Sequence, residues 1–209
     1  MDEQEARRAL GRIFALRLPC SWDALDIERA HIAGISYGGE LSLAFAHRYP
    51  ARTRSLVVAS TVSQIDPLLA GWMGSWLTAA RARDAELLFS VTYPLNFSEA
   101  WMAANADLLE AARQRYATLD MDAFLELLLG FSRLSLTGVL HEITAPTLVI
   151  VGEDDLLKPR QYAEIIAREI AGAELAVVPH AGHAVSWEQP GLFNTLLLGF
   201  VAKHSEGSR

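Results

Sequence analysis

With 209 residues, 51% of them apolar, the chain is long enough to bury one sizeable core as a single globular unit. Lysine and arginine total 18 against 25 acidic residues, a net charge of −7 with no basic stripe, which argues against nucleic acid as a partner. No run approaches the ~20 apolar residues that a membrane span needs, and a single cysteine, Cys20, allows no intramolecular disulfide, so a cytoplasmic location is expected.

The start, Met1-Asp2-Glu3-Gln4-Glu5, is acidic where an export signal is basic, and no such signal is expected. Residues 3–17 predict a helix. Ala6, Ala9, Leu10, Ile13 and Phe14 recur at spacings of three and four, Glu3 and Arg7 lie one turn apart, and Pro19 stops the run. Its apolar face predicts packing on the chain's own sheet, or against a partner.

Residues 30–36 read as a buried strand and Gly38 to Tyr49 as a helix that ends at Pro50. Between them stands Gly34-Ile35-Ser36-Tyr37-Gly38, a serine on a sharp strand-to-helix turn. The turn strains the serine, and small flanking residues leave it room. Its hydroxyl then projects above the sheet edge, while the helix start offers the Tyr37 backbone N–H to a developing oxyanion. A second strand is expected over 54–60. From Thr61 to Glu142 the pattern turns helical, with no strand signal, and residues such as Trp72, Trp76, Phe89, Phe124 and Phe131 make it broadly apolar.

A third strand, 146–152, runs into Gly152-Glu153-Asp154-Asp155-Leu156-Leu157-Lys158-Pro159, and a helix follows over Arg160 to Ala171. A fourth, 174–180, runs into His180-Ala181-Gly182-His183, and Leu192 to Lys203 forms a closing helix. Strands alternating with helices predict an α/β chain with a parallel sheet, whose sites lie beyond the carboxyl ends of the strands. A serine hydroxyl needs a base to take its proton, and the base needs an acid to orient it. Asp154 or Asp155, and His180 or His183, stand at those strand ends.

Taken in this order, Gly-x-Ser-x-Gly, the Gly152–Pro159 segment and Gly182-His183-Ala184-Val185-Ser186-Trp187-Glu188-Gln189-Pro190 closely resemble the α/β-hydrolase superfamily. The resemblance runs from about residue 24 to about residue 203 and is nearest to the small esterases, enol-lactonases and meta-cleavage-product hydrolases. It implies Ser36 as nucleophile, Asp155 (three residues after Gly152) as acid, His183 as general base and the Tyr37 N–H in the oxyanion hole. It further implies a core from residues 1–61 and 143–209 and a helical cap over 62–142. The implied activity is that of a serine hydrolase cleaving small carboxylic esters through an acyl-enzyme, with no metal and no organic cofactor. A thioesterase, a lactonase or a C–C bond hydrolase uses the same three residues. His31, His47, His141 and His204 show no paired metal-ligand spacing. Trp187 is expected to pack and Pro190 to start a helix.

The chain departs from the family ahead of the serine. Four strands with their helices and connections take about 76 residues, whereas 35 precede Ser36. A partial fold lacking the usual first strands is therefore expected. None of the six histidines is followed by glycine, so the family's His-Gly oxyanion segment is missing. One lost oxyanion donor costs ~2.7–4 kcal/mol, so low turnover is expected. Residues 30–35 would also become a bare, apolar sheet edge, which predicts a homodimer. The alternative is a weakly active or inactive hydrolase-fold protein with a binding or assembly role.

Overall fold

Four short apolar runs form one parallel sheet: β1 (Ala30–Ile35), β2 (Thr53–Ala59), β3 (Thr147–Gly152) and β4 (Glu174–Val178), hydrogen-bonded in the order β1-β2-β3-β4. Each lies within two residues of the ends its sequence predicts. The computed structural model describes residues 22–205; the helix expected over 3–17 and Cys20 lie outside them.

The strands are apolar on both sides because helices cover both faces. Leu56, Val58, Val149 and Val151 point to the face packed by α1 (Tyr37–Arg48) and, across residues 160–169, by a later helix; Leu43, Ala46, Ala163 and Ile166 meet them there. The alternate residues Val57, Ala59, Leu148 and Ile150 point the other way, against Phe193 and Phe200 of the C-terminal helix. This switch of sides at every residue is the period-two signature of a strand. On the flank of α1, the Trp22 ring lies 5.4 Å from Phe45, and the Arg52 guanidinium lies over the Trp22 ring at 5.6 Å.

Between β2 and β3 come five helices, all inside the stretch expected to be helical: α2 (Pro67–Arg81), α3 (Ala85–Asn96), α4 (Glu99–Ala104), α5 (Ala106–Tyr116) and α6 (Met121–Phe131). Four of these starts are set by short polar side chains that accept the first free N–H groups. Asp66 accepts from Leu69, Asp84 from Leu87, Ser98 from Trp101 and Asp120 from Asp122 and Ala123. Val62, Leu69, Met73 and Phe131 join this segment to Tyr162 at the rim of the sheet. After β3 come α7 (Arg160–Glu169), then β4, α8 (Val185–Glu188) and α9 (Pro190–Lys203), with Pro190 at the first turn of α9. Among the described residues no helix is long and apolar enough to cross a membrane.

Candidate active site

All four strands run the same way, so Ser36, Ser60, Glu153 and Pro179 follow their carboxyl ends along one edge. Ser36 ends β1 and begins α1 with φ 53° and ψ −122°, a left-handed conformation that side chains avoid. The surroundings over-determine it. The Ser36 N–H donates to the Ala59 carbonyl (2.8 Å), continuing the ladder, and the Thr61 hydroxyl donates to the Ser36 carbonyl (3.0 Å). A Cβ at Gly34 would strike the Gly38 carbonyl, and one at Gly39 would strike the Thr61 side chain, whereas Gly38 faces open space. The close approaches therefore fall at Gly34 and Gly39. The second glycine of the sequence pattern is not the one that the packing requires.

The loop after β3 turns on Gly152, where a Cβ would meet the Ala181 and Gly182 carbonyls. It buries Asp155, 3% exposed, and leaves Asp154 at the surface. One oxygen of Asp155 accepts the Lys158 backbone N–H at 2.7 Å, and both face His183 Nδ1, at 3.0 and 3.2 Å. His183 Nε2 stands 2.8 Å from Ser36 Oγ. With Nδ1 protonated toward the carboxylate, Nε2 is left to accept the serine proton. His180 points elsewhere and is exposed. Ser36, His183 and Asp155 thus form one hydrogen-bonded chain, and Asp154 and His180 stand outside it.

The His183 loop is moored to the helices between β2 and β3. The Glu188 carboxylate accepts the Gly182 N–H at 3.0 Å, the Ser98 N–H and the Ser98 hydroxyl, and the Ala184 N–H donates to the Asn96 carbonyl at 2.8 Å. A short helix start thereby holds the residues flanking the imidazole.

A second group of charges lies against the serine. Lys158 and Glu40 are 3% and 1% exposed. Lys158 Nζ donates to Glu40 Oε1 at 2.8 Å and to Ser36 Oγ at 3.1 Å, and sits 5.1 Å from the centre of the Phe131 ring. Glu40 Oε1 also accepts the Val62 N–H at 3.0 Å, while Oε2 is buried with no hydrogen-bond partner among the described residues. Burial pushes the Glu40 carboxyl above its ordinary value, against the pull of the Lys158 ammonium and the Val62 N–H. Sequence reading passed over both residues. The available signal was spacing: Glu40 is four residues from Ser36, one helical turn along the same face.

The parallel sheet with helices on both faces is the fold to which the family comparison also points. Residues 14–190 match the family model of the alpha/beta hydrolase fold. The chain belongs to this family. It is 31% identical to a putative carbamate hydrolase RutD of Stutzerimonas stutzeri over 87% of its own length and 69% of the relative's. It is 30% identical to a 2-hydroxy-6-oxononadienedioate/2-hydroxy-6-oxononatrienedioate hydrolase of Comamonas testosteroni over 97% and 71%. Among solved structures it superposes with a TM-score of 0.88 and 27% identity on MGS-M2, an α/β-hydrolase enzyme from a deep-sea metagenome library, covering 95% of this chain and 74% of that one.

Two histidines of this α/β hydrolase away from the site have side-chain partners. His31 Nδ1 meets Ser55 Oγ at 2.7 Å and His47 meets Glu142 at 2.9 Å. Among the described residues no three His, Cys, Asp or Glu side chains are grouped to hold a metal. Trp187, expected to pack, is instead 63% exposed: it sits on the four-residue helix α8, whose inward position is taken by Val185.

Proposed function

We propose that this chain is a serine hydrolase that cleaves small carboxylic esters through an acyl-enzyme. The observation that carries the reading is the continuous path from Asp155 through His183 to Ser36 Oγ, with both links at hydrogen-bond distance. Ser36 Oγ attacks the carbonyl carbon as its proton passes to His183 Nε2, and His183 then gives that proton to the departing alcohol. Water enters next. It loses a proton to the same nitrogen, attacks the acyl carbon and releases Ser36. Asp155 keeps the imidazole in the Nδ1–H tautomer and balances its charge when protonated. The Tyr37 N–H, first in α1, is the proposed oxyanion donor.

The helices within 62–142 are proposed as a cap that lines the acyl pocket; Phe131, above Lys158, and the Ser98–Glu188 link support this placement. A second reading, hydrolysis of a 2-hydroxy-6-oxo dienoic acid, is favoured by the likeness to the Comamonas hydrolase named for such substrates.

Hydrolysis of p-nitrophenyl butyrate, with Ser36→Ala as control, tests the main reading. Turnover is expected for the native chain and none for the variant. Cleavage of the dienoic acid with the ester left intact would favour the second reading. No turnover of either substrate would favour a binding or assembly role.

A further inference from the structure

The catalytic path through Asp155 and His183 leaves one contact of the serine unused. Ser36 Oγ carries one proton and two lone pairs. The proton faces His183 Nε2, and one lone pair faces the Lys158 ammonium at 3.1 Å. The second lone pair is free for attack.

Lys158 is poorly explained as filler. A buried ion pair is costly to desolvate, and apolar residues of similar size in its place are often neutral or stabilising. Here the cost is only partly offset, because Glu40 Oε2 has no partner among the described residues. The three N–H bonds of the ammonium are also directed: one to Ser36, one to Glu40, and the third side toward the face of Phe131. Glu40 is fixed in turn by the Val62 N–H. The lysine is thus aimed at the serine oxygen from the loop that also carries Asp155, and the carboxylate behind it holds it in place.

We propose that Lys158 is a further catalytic residue of this hydrolase, its ammonium holding Ser36 Oγ through both half-reactions, and that Glu40 is the positioning residue that keeps it there. The proposal rests on the serine-hydrolase reading above. In acylation, Oγ forms its bond to the carbonyl carbon with the free lone pair, the O–H bond breaks toward His183, and the carbonyl π pair moves onto its oxygen. The ammonium favours this step by making the hydroxyl more acidic. In deacylation, Oγ is the leaving atom. The C–Oγ bond breaks, its electron pair stays on Oγ, and the proton returns from His183. The ammonium favours departure by stabilising the charge that gathers on Oγ. Lys158 keeps its three protons throughout.

The test is the rate of labelling by a fluorophosphonate probe, together with kcat and KM for p-nitrophenyl butyrate, for the native chain and for Lys158→Met/Glu40→Gln. The double change leaves no buried charge unpaired and keeps an acceptor for Val62. Melting curves establish that it folds; should it not, Lys158→Gln/Glu40→Gln gives the same comparison with an amide pair. The expected result is a labelling rate and a kcat lower by roughly ten- to a hundredfold, the worth of one charge-assisted hydrogen bond, with KM unchanged. Native rates in the folded variant would overturn the proposal, as would a raised KM with kcat unchanged, which marks a packing role. An unlabelled native chain would remove the serine-hydrolase reading and this proposal together.

Discussion

Replacing Ser36 by glycine should leave a more stable protein than replacing it by alanine. Both changes remove Oγ and the same contacts with His183 and Lys158. They differ in what they do to the backbone at φ 53° and ψ −122°. Holding a non-glycine residue there costs on the order of 1–3 kcal/mol. Glycine escapes that cost but gains freedom in the unfolded chain worth about 0.4–1 kcal/mol. The difference leaves Ser36→Gly ahead by about 1 kcal/mol, which for a chain of this size is about 2–4 °C in Tm. Circular dichroism melts of the two variants under identical buffer measure it directly. A Tm for Ser36→Gly at or below that of Ser36→Ala would refute the argument that the turn is strained and that packing against Ala59 and Thr61 holds it.

His183→Ala should lose ester turnover about as completely as Ser36→Ala, since residues of such a chain act as a unit, while Asp155→Asn retains more; if the exposed Asp154 proved the more damaging aspartate to change, the acid assignment would be wrong. Asp66→Ala should cost roughly 1 kcal/mol at neutral pH, because Asp66 caps α2 and accepts the Tyr162 hydroxyl at 2.6 Å. Burial alone would raise the Asp66 carboxyl, but the Leu69 N–H and the Tyr162 hydroxyl hold it below its ordinary value. Its contribution is thus present above about pH 4 and lost as pH falls through the depressed value, so the Tm gap between native and variant should close in acid. A gap independent of pH would show that the bonds to the ionised carboxylate carry none of it. A homodimer across β1, an edge of the described sheet, remains our proposal for quaternary structure; light scattering should give twice 22.9 kDa, and a monodisperse mass of 22.9 kDa would discard it.

The strands were legible because each is a short apolar run bounded by turn residues, and burial on both faces makes such runs continuous. The helices from Asp66 to Phe131 were legible as a stretch of helical pattern, and Asp66, Asp84, Ser98 and Asp120 mark their starts once the structure is in view. The motif drew notice to Ser36, and the strand-end loops drew notice to Asp155 and His183; the structure sets the three in one hydrogen-bonded chain. What sequence could not carry was long-range pairing of charges. Lys158 and Glu40 are 118 residues apart and nothing local pairs them, yet the two are buried together. Glu188 and Ser98, 90 residues apart, meet for the same reason, and nothing local announces it. The requirement for glycine at 39 is set by the Thr61 side chain, 22 residues on, and nothing local announces it. Trp187 looked like a packing residue from its size alone, but a single turn of helix has room to bury only one side.

The central claim is that Ser36 is the reacting nucleophile. Incubation with a fluorophosphonate probe, followed by digestion and mass mapping of the labelled peptide, tests it most directly. The account predicts a single adduct per chain, located on Ser36 and absent from Ser36→Ala. An adduct on any other residue, or labelling that persists in Ser36→Ala, would contradict it.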